Sequence, residues 1–102
     1  MSRARLEQNW ARSPRVATRR VGERCVLVPL AGDGVDLDGA LDLNRVAAFV
    51  WDRLDGASPV AAIVDEVVAR FEVERGTAEA DALELLEALL AREAIVLVSS
   101  RP

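Results

Sequence analysis

A chain of 102 residues, with 51% hydrophobic and 29% charged side chains, is long enough to bury one core, too short for two, and too apolar to be disordered. Histidine, tyrosine and lysine are absent and cysteine occurs once, at Cys25. This excludes an internal disulfide, a His- or multi-Cys metal site, a His-activated nucleophile, and the Schiff-base and P-loop lysines.

No apolar run approaches the ~20 residues of a membrane span, and the N-terminal arginines are not followed by the apolar stretch of a secretory signal. The expectation is a cytoplasmic protein with no catalytic residues, no cofactor, no metal and no membrane contact. Net charge is −4, unevenly spread: residues 1–20 hold six Arg against Glu7, leaving −9 on the remainder. An acidic body repels a phosphate backbone, so nucleic acid is not an expected partner.

Residues 1–15 mix Arg, Ser, Gln and Asn, with Leu6 and Trp10 at helical spacing as the only apolar pair, and read as a basic arm or a short helix. From Val16 the residue types change. Val16-Ala17-Thr18 and Arg24-Cys25-Val26-Leu27-Val28, separated by Val21-Gly22-Glu23, predict a hairpin closed by Pro29. After Gly32-Asp33-Gly34 and Asp38-Gly39, the alternation in Ala40-Leu41-Asp42-Leu43 predicts a third short strand. Asp33, Asp36, Asp38 and Asp42 recur at near-alternate positions, but the glycine positions and the missing bidentate Glu do not match a calcium loop.

Asn44 is placed to cap a helix from Arg45 to about Leu54, with Gly56 as its stop. Ser58-Pro59 marks the start of a second helix, whose Val60, Ile63, Val64, Val67, Val68 and Phe71 form one apolar stripe at 3.6-residue spacing. Thr77 is the expected cap of a third helix, with Glu79 and Asp81 in its first turn. Ile95–Val98 predicts a last strand before a polar tail, residues 99–102. The expected fold class is therefore α+β and winged helix-turn-helix-like: an N-terminal three-stranded antiparallel sheet, three helices and a short C-terminal strand.

This order of elements is also that of a DNA-binding transcription regulator, which is the alternative reading. Against it, the helix that would enter the major groove carries Glu79, Asp81, Glu84 and Glu87 against Arg92 alone. The apolar residues of that helix span about 160° at 100° per residue, more than one packing face needs. Leu85, Leu86 and Leu89 are assigned to the core, and Leu83 and Leu90 to a flank free to line a groove. If that flank lies beside the third strand, and that strand is a sheet edge, an extended peptide can add to the sheet and seat alternate side chains against the helix.

Leu43-Asn44, Phe49-Val50-Trp51, Leu54-Asp55-Gly56, Val60, Ile63-Val64, Phe71, Asp81, Leu86, Leu89-Leu90 and Ile95-Val96, preceded by Val26-Leu27-Val28-Pro29, resemble the PqqD family of precursor-peptide chaperones. Its fold is shared by the recognition elements of ribosomally made, modified peptides. The resemblance covers about residues 16–98, between the arm (1–15) and the polar tail. It implies a non-catalytic module that binds the leader of a precursor peptide and presents it to a modifying enzyme, of the radical S-adenosylmethionine class, as monomer or homodimer. It places the peptide on the third strand and third helix. In this chain that means Ala40, Leu41, Asp42 and Leu43 on the strand side, and Leu83, Leu86, Glu87 and Leu90 on the helix side. Ala94-Ile95 departs from the Gly-Leu or Gly-Trp usual before the last strand, and the basic arm is an addition. Trp51 reads as a packing anchor and Cys25 as a small buried hydrophobe.

Overall fold

The computed structural model describes residues 5–31, 34–35 and 39–98. The polar tail, and Asp33, Asp36 and Asp38, lie outside the described residues. The chain is α+β. Strands β2 (Val16–Val21) and β3 (Arg24–Ala31) form the expected hairpin, in register from Val16↔Pro29 to Val21↔Arg24. Gly22 takes the positive φ (62°) that a two-residue hairpin turn requires. The short β4 (Gly34–Val35) folds back on the end of β3, through Leu30↔Val35 and Ala31↔Gly34. β5 (Leu41–Leu43) pairs with the other end of β3, Cys25↔Leu43 to Leu27↔Leu41. The three-stranded antiparallel sheet β2-β3-β5 is thus the one read from the sequence, with Ala40 just outside its third strand.

Three helices follow. Helix α1 (Arg45–Arg53) starts as expected, the Asn44 side-chain oxygen accepting from the Ala47 amide at 2.8 Å. Helix α2 (Val60–Phe71) buries Val60, Ile63, Val64 and Val67, the apolar stripe of the sequence. Helix α3 (Arg75–Ala91) begins two residues before the expected cap Thr77 and uses no side-chain cap. Its first turn is held instead by Arg75, which bridges Asp65 of α2 and Glu79 one turn on. Strand β7 (Ile95–Val98) closes the described chain.

The main departure is at the N-terminus. Asn9–Arg12, expected within a basic arm, is strand β1, the centre of a second three-stranded antiparallel sheet. It pairs with β7 through Asn9↔Val98 to Arg12↔Ile95, and with β6 (Asp55–Pro59) through Asn9↔Pro59 and Ala11↔Asp55. Leu6 and Trp10 are buried in the same core as the helices. Their helical spacing was misleading, because Trp10 lies in the strand and is buried by pairing partners far along the chain. β6 carries the sequence Asp-Gly-Ala-Ser-Pro, which has no apolar pattern; its main chain meets β1, and Asn9 Nδ2 donates to the Gly56 carbonyl at 3.1 Å.

Gly56 is therefore not the helix stop. Helix α1 ends at Arg53, and Gly56 sits in β6 with φ 82°, where a Cβ would meet Val98 Cγ2 at 3.2 Å and Ala11 Cβ at 3.5 Å. Only glycine has both the conformation and the space. Ser58 likewise belongs to β6, and Pro59 occupies the N-cap of α2 in extended conformation.

The core unites Trp10, Cys25, Leu27, Leu43, Val50, Trp51, Leu54, Ile63, Val64, Leu86, Leu89 and Ile95, each large side chain stabilising by roughly 1.5–3 kcal/mol when withdrawn from water. Trp51 is buried, as expected of an anchor, and its indole N–H donates to Thr18 Oγ1 at 3.3 Å. Cys25 is buried, and that burial pushes its thiol pKa up. No described helix is long and apolar enough to cross a membrane.

Candidate functional site

Among the described strands, β5 pairs only with β3, which leaves it one unpaired edge. β2 is the opposite margin of the same sheet, but it exposes Thr18, Arg19 and Arg20, the charged kind of edge that discourages further pairing. β5 instead borders a groove of about 400 Å³ between itself and α3. Leu41, Asp42 and Leu43 form its near side; Val46, Ala47 and Val50 of α1, with Val67 of α2, line it between; Ala78, Asp81, Ala82, Glu84, Leu85 and Ala88 of α3 form its far side.

Each wall follows from local sequence. In β5, alternation buries Leu43, leaves Leu41 half-buried and turns Asp42 to solvent. There Arg24 Nη2 donates to both Asp42 carboxylate oxygens, at 2.9 and 3.0 Å. In α3, alanines at 78, 82 and 88 keep the groove flank low where leucines would have filled it. Arg92, just beyond α3, joins the two sides: its Nε donates to the Gly39 carbonyl at 2.7 Å and its Nη1 to the Ala88 carbonyl at 2.8 Å.

The strand half of the expected site stands together here: Leu41, Asp42 and Leu43 line the groove, and Ala40, half-buried, directly precedes them. The helix half does not. Leu86 is 0% exposed and belongs to the core. Leu83 and Leu90 are half-buried against that core, about 160° and 140° around the helix from Leu85 at 100° per residue. Glu87 lies at the surface, its carboxylate 3.9 Å from Arg5 of the N-terminal segment. Leu83 and Leu90 pack against the core, so the wide apolar arc of α3 is used for packing and that flank is not spare. The opposite flank, Ala78, Asp81, Ala82, Glu84, Leu85 and Ala88, faces the groove instead. Its sequence signal was the run of small residues, since a groove is made where side chains are short.

This arrangement suits an extended chain. Main-chain groups of a bound strand meet the free edge of β5, and its alternate side chains enter an apolar trough. It suits DNA poorly, because Asp81, Glu84 and Glu87 are exposed on α3. Among the described residues no group of three or more His, Cys, Asp or Glu is arranged to hold a metal ion.

The comparison with curated proteins found no match. Among solved structures the chain is similar to one described as TbiB1 in complex with the TbiA(beta) leader peptide, with 26% sequence identity and a TM-score of 0.66, over 90% of this chain and 99% of that one. The family model of coenzyme PQQ synthesis protein D (PqqD) matches residues 24–95, from the hairpin strand β3 through the groove helix α3 to the first residue of β7. By fold and by sequence, the chain belongs to the PqqD family.

Proposed function

We propose that this protein is a non-catalytic recognition module that binds the leader of a ribosomally synthesised precursor peptide by strand addition to β5, and presents it to a modifying enzyme. The observation that carries this reading is the free edge of β5 bordering an apolar groove whose other wall is α3. The structural neighbour, itself a complex with a leader peptide, and the family membership support it. The peptide side of the site is Ala40, Leu41, Asp42 and Leu43; on the helix, the groove residues Ala78, Asp81, Ala82, Leu85 and Ala88 take the place of Leu83, Leu86, Glu87 and Leu90. The family resemblance adds a radical S-adenosylmethionine enzyme as second partner and the cytoplasm, where precursors are made, as location. Basic N-terminal residues do not enter the reading as a nucleic-acid arm, since β1 is part of the fold.

The test is fluorescence anisotropy with labelled leader peptides from precursor reading frames encoded beside this gene, and with duplex DNA, at two salt concentrations. Saturable binding to a leader and none to DNA is expected. Binding to DNA with a steep salt dependence, and to no leader, would overturn the proposal in favour of a transcription regulator.

A further inference from the structure

The two long sides of the groove differ in charge. On the β5 side, the Asp42 carboxylate is engaged by Arg24. On the α3 side, Asp81 and Glu84 stand one turn apart, both exposed, and neither has an ion-pair partner among the described residues. The other acids of α3 differ: Glu79 is bridged to Arg75, and Glu87 faces Arg5. Among the described residues no arginine lines the groove, and Arg92, at the end of α3, directs its guanidinium to the carbonyls of Gly39 and Ala88. The trough is thus apolar along its floor, through Leu43, Val50, Val67 and Leu85, and negative along one rim.

A strand added to β5 turns every second side chain toward this trough, with in-facing positions about 6.6 Å apart. Asp81 and Glu84 are separated by about 4.5 Å of helix rise. An aliphatic anchor on the floor therefore leaves the next in-facing side chain opposite the two carboxylates. Resting on the strand-addition reading, we propose that the groove selects extended peptides pairing an apolar in-facing residue with an arginine or lysine two positions away, and rejects those with an acid there. Asp81 and Glu84 are the specificity-determining residues. A cationic side chain relieves their mutual repulsion and snorkels its aliphatic stem along Leu85 and Ala88. An acidic one adds a third like charge.

The experiment uses the full chain and two labelled synthetic peptides. Both have threonine at out-facing positions and valine or leucine at in-facing ones, with one central in-facing position occupied by Arg in the first and Glu in the second. The Arg peptide is expected to bind about tenfold more tightly at low salt, the effect of two exposed charge pairs. That ratio is expected to fall toward unity at high salt and in the double variant Asp81→Asn, Glu84→Gln, whose thermal transition should match the parent because both side chains are exposed. Equal affinity for the two peptides would overturn the charge assignment and leave strand addition standing. A ratio that persists in the double variant would overturn the assignment to these two residues. Failure of both peptides to bind would bring down strand addition, and the charge preference with it.

Discussion

The Arg92 guanidinium ties α3 to the turn before β5, its Nε donating to the Gly39 carbonyl at 2.7 Å. These are the two sides of the groove, and they come from segments more than fifty residues apart. A half-buried hydrogen bond from a charged donor contributes about 1.5–3 kcal/mol, so this link fixes the spacing between the strand edge and the helix wall. Arg92→Ala is expected to lower stability by about 1.5–3 kcal/mol and to weaken peptide binding about fivefold. Isothermal titration of parent and variant with one peptide checks this; an unchanged dissociation constant would show that the groove keeps its width without the link.

The groove and the core are separable on α3. Leu86 is fully buried while Ala88 lines the groove. Leu86→Ala should cost about 2–5 kcal/mol of stability in chemical denaturation, with unaltered affinity in the molecules that remain folded. Ala88→Trp should fill the groove and abolish peptide binding at nearly parental stability. The reverse pattern would show that the peptide uses the Leu86 face.

The N-terminal segment is structural. Arg12 Nη1 donates to the carbonyls of Trp51 and Asp52, at 2.9 and 2.8 Å, and so caps the C-terminal end of α1. Its guanidinium also stands 5.9 Å from the Trp51 ring centroid. Arg12→Ala should lower stability by about 1–2 kcal/mol, a drop of several degrees in Tm for a domain of this size. Deleting residues 1–12 removes the central strand of β6-β1-β7 together with Leu6 and Trp10, and should abolish the cooperative transition seen by circular dichroism. A truncated chain that melts like the parent would return these residues to the status of an arm.

Gly56→Ala is expected to cost about 1–3 kcal/mol. Its φ of 82° disfavours any side chain, and the new methyl would press on Val98 Cγ2 at 3.2 Å. Urea denaturation measures the loss; a neutral substitution would mean that β6 and β7 shift apart at little cost.

Cys25, 2% exposed, has its thiol pKa raised mainly by desolvation, with a further push from Asp52 opposed by Arg20. The folded state therefore holds the protonated thiol more tightly than the unfolded chain does. The resulting stability is fully present below the ordinary thiol range and is lost as pH rises from there through the raised value of the folded state. Native protein should react with a chromogenic disulfide reagent only at the rate of unfolding, and immediately in denaturant. Rapid reaction of the native state would show that β3 opens locally.

Much of the fold was legible because its signals are local. The Asn44 cap, the α2 stripe Val60-Ile63-Val64-Val67 and the β2–β3 hairpin around Gly22 depend on residues a few positions apart, and the structure has all three. The strand side of the groove, Leu41–Leu43, was legible for the same reason. The absence of His and Lys, and an acidic third helix, had already turned the functional reading from catalysis and DNA toward peptide recognition.

What the tertiary structure alone decided is which face of α3 is free. Its apolar residues extend around more of the helix than one partner can cover, and periodicity does not tell which flank the rest of the chain will take. Two strands were also the least legible locally. Asn9–Arg12 and Asp55–Pro59 carry little apolar pattern and become strands by pairing across about 45 to 90 residues of sequence. On α3, Leu83 and Leu90 pack against the core, while the alanine side, with Asp81 and Glu84 on its rim, lines the groove beside β5.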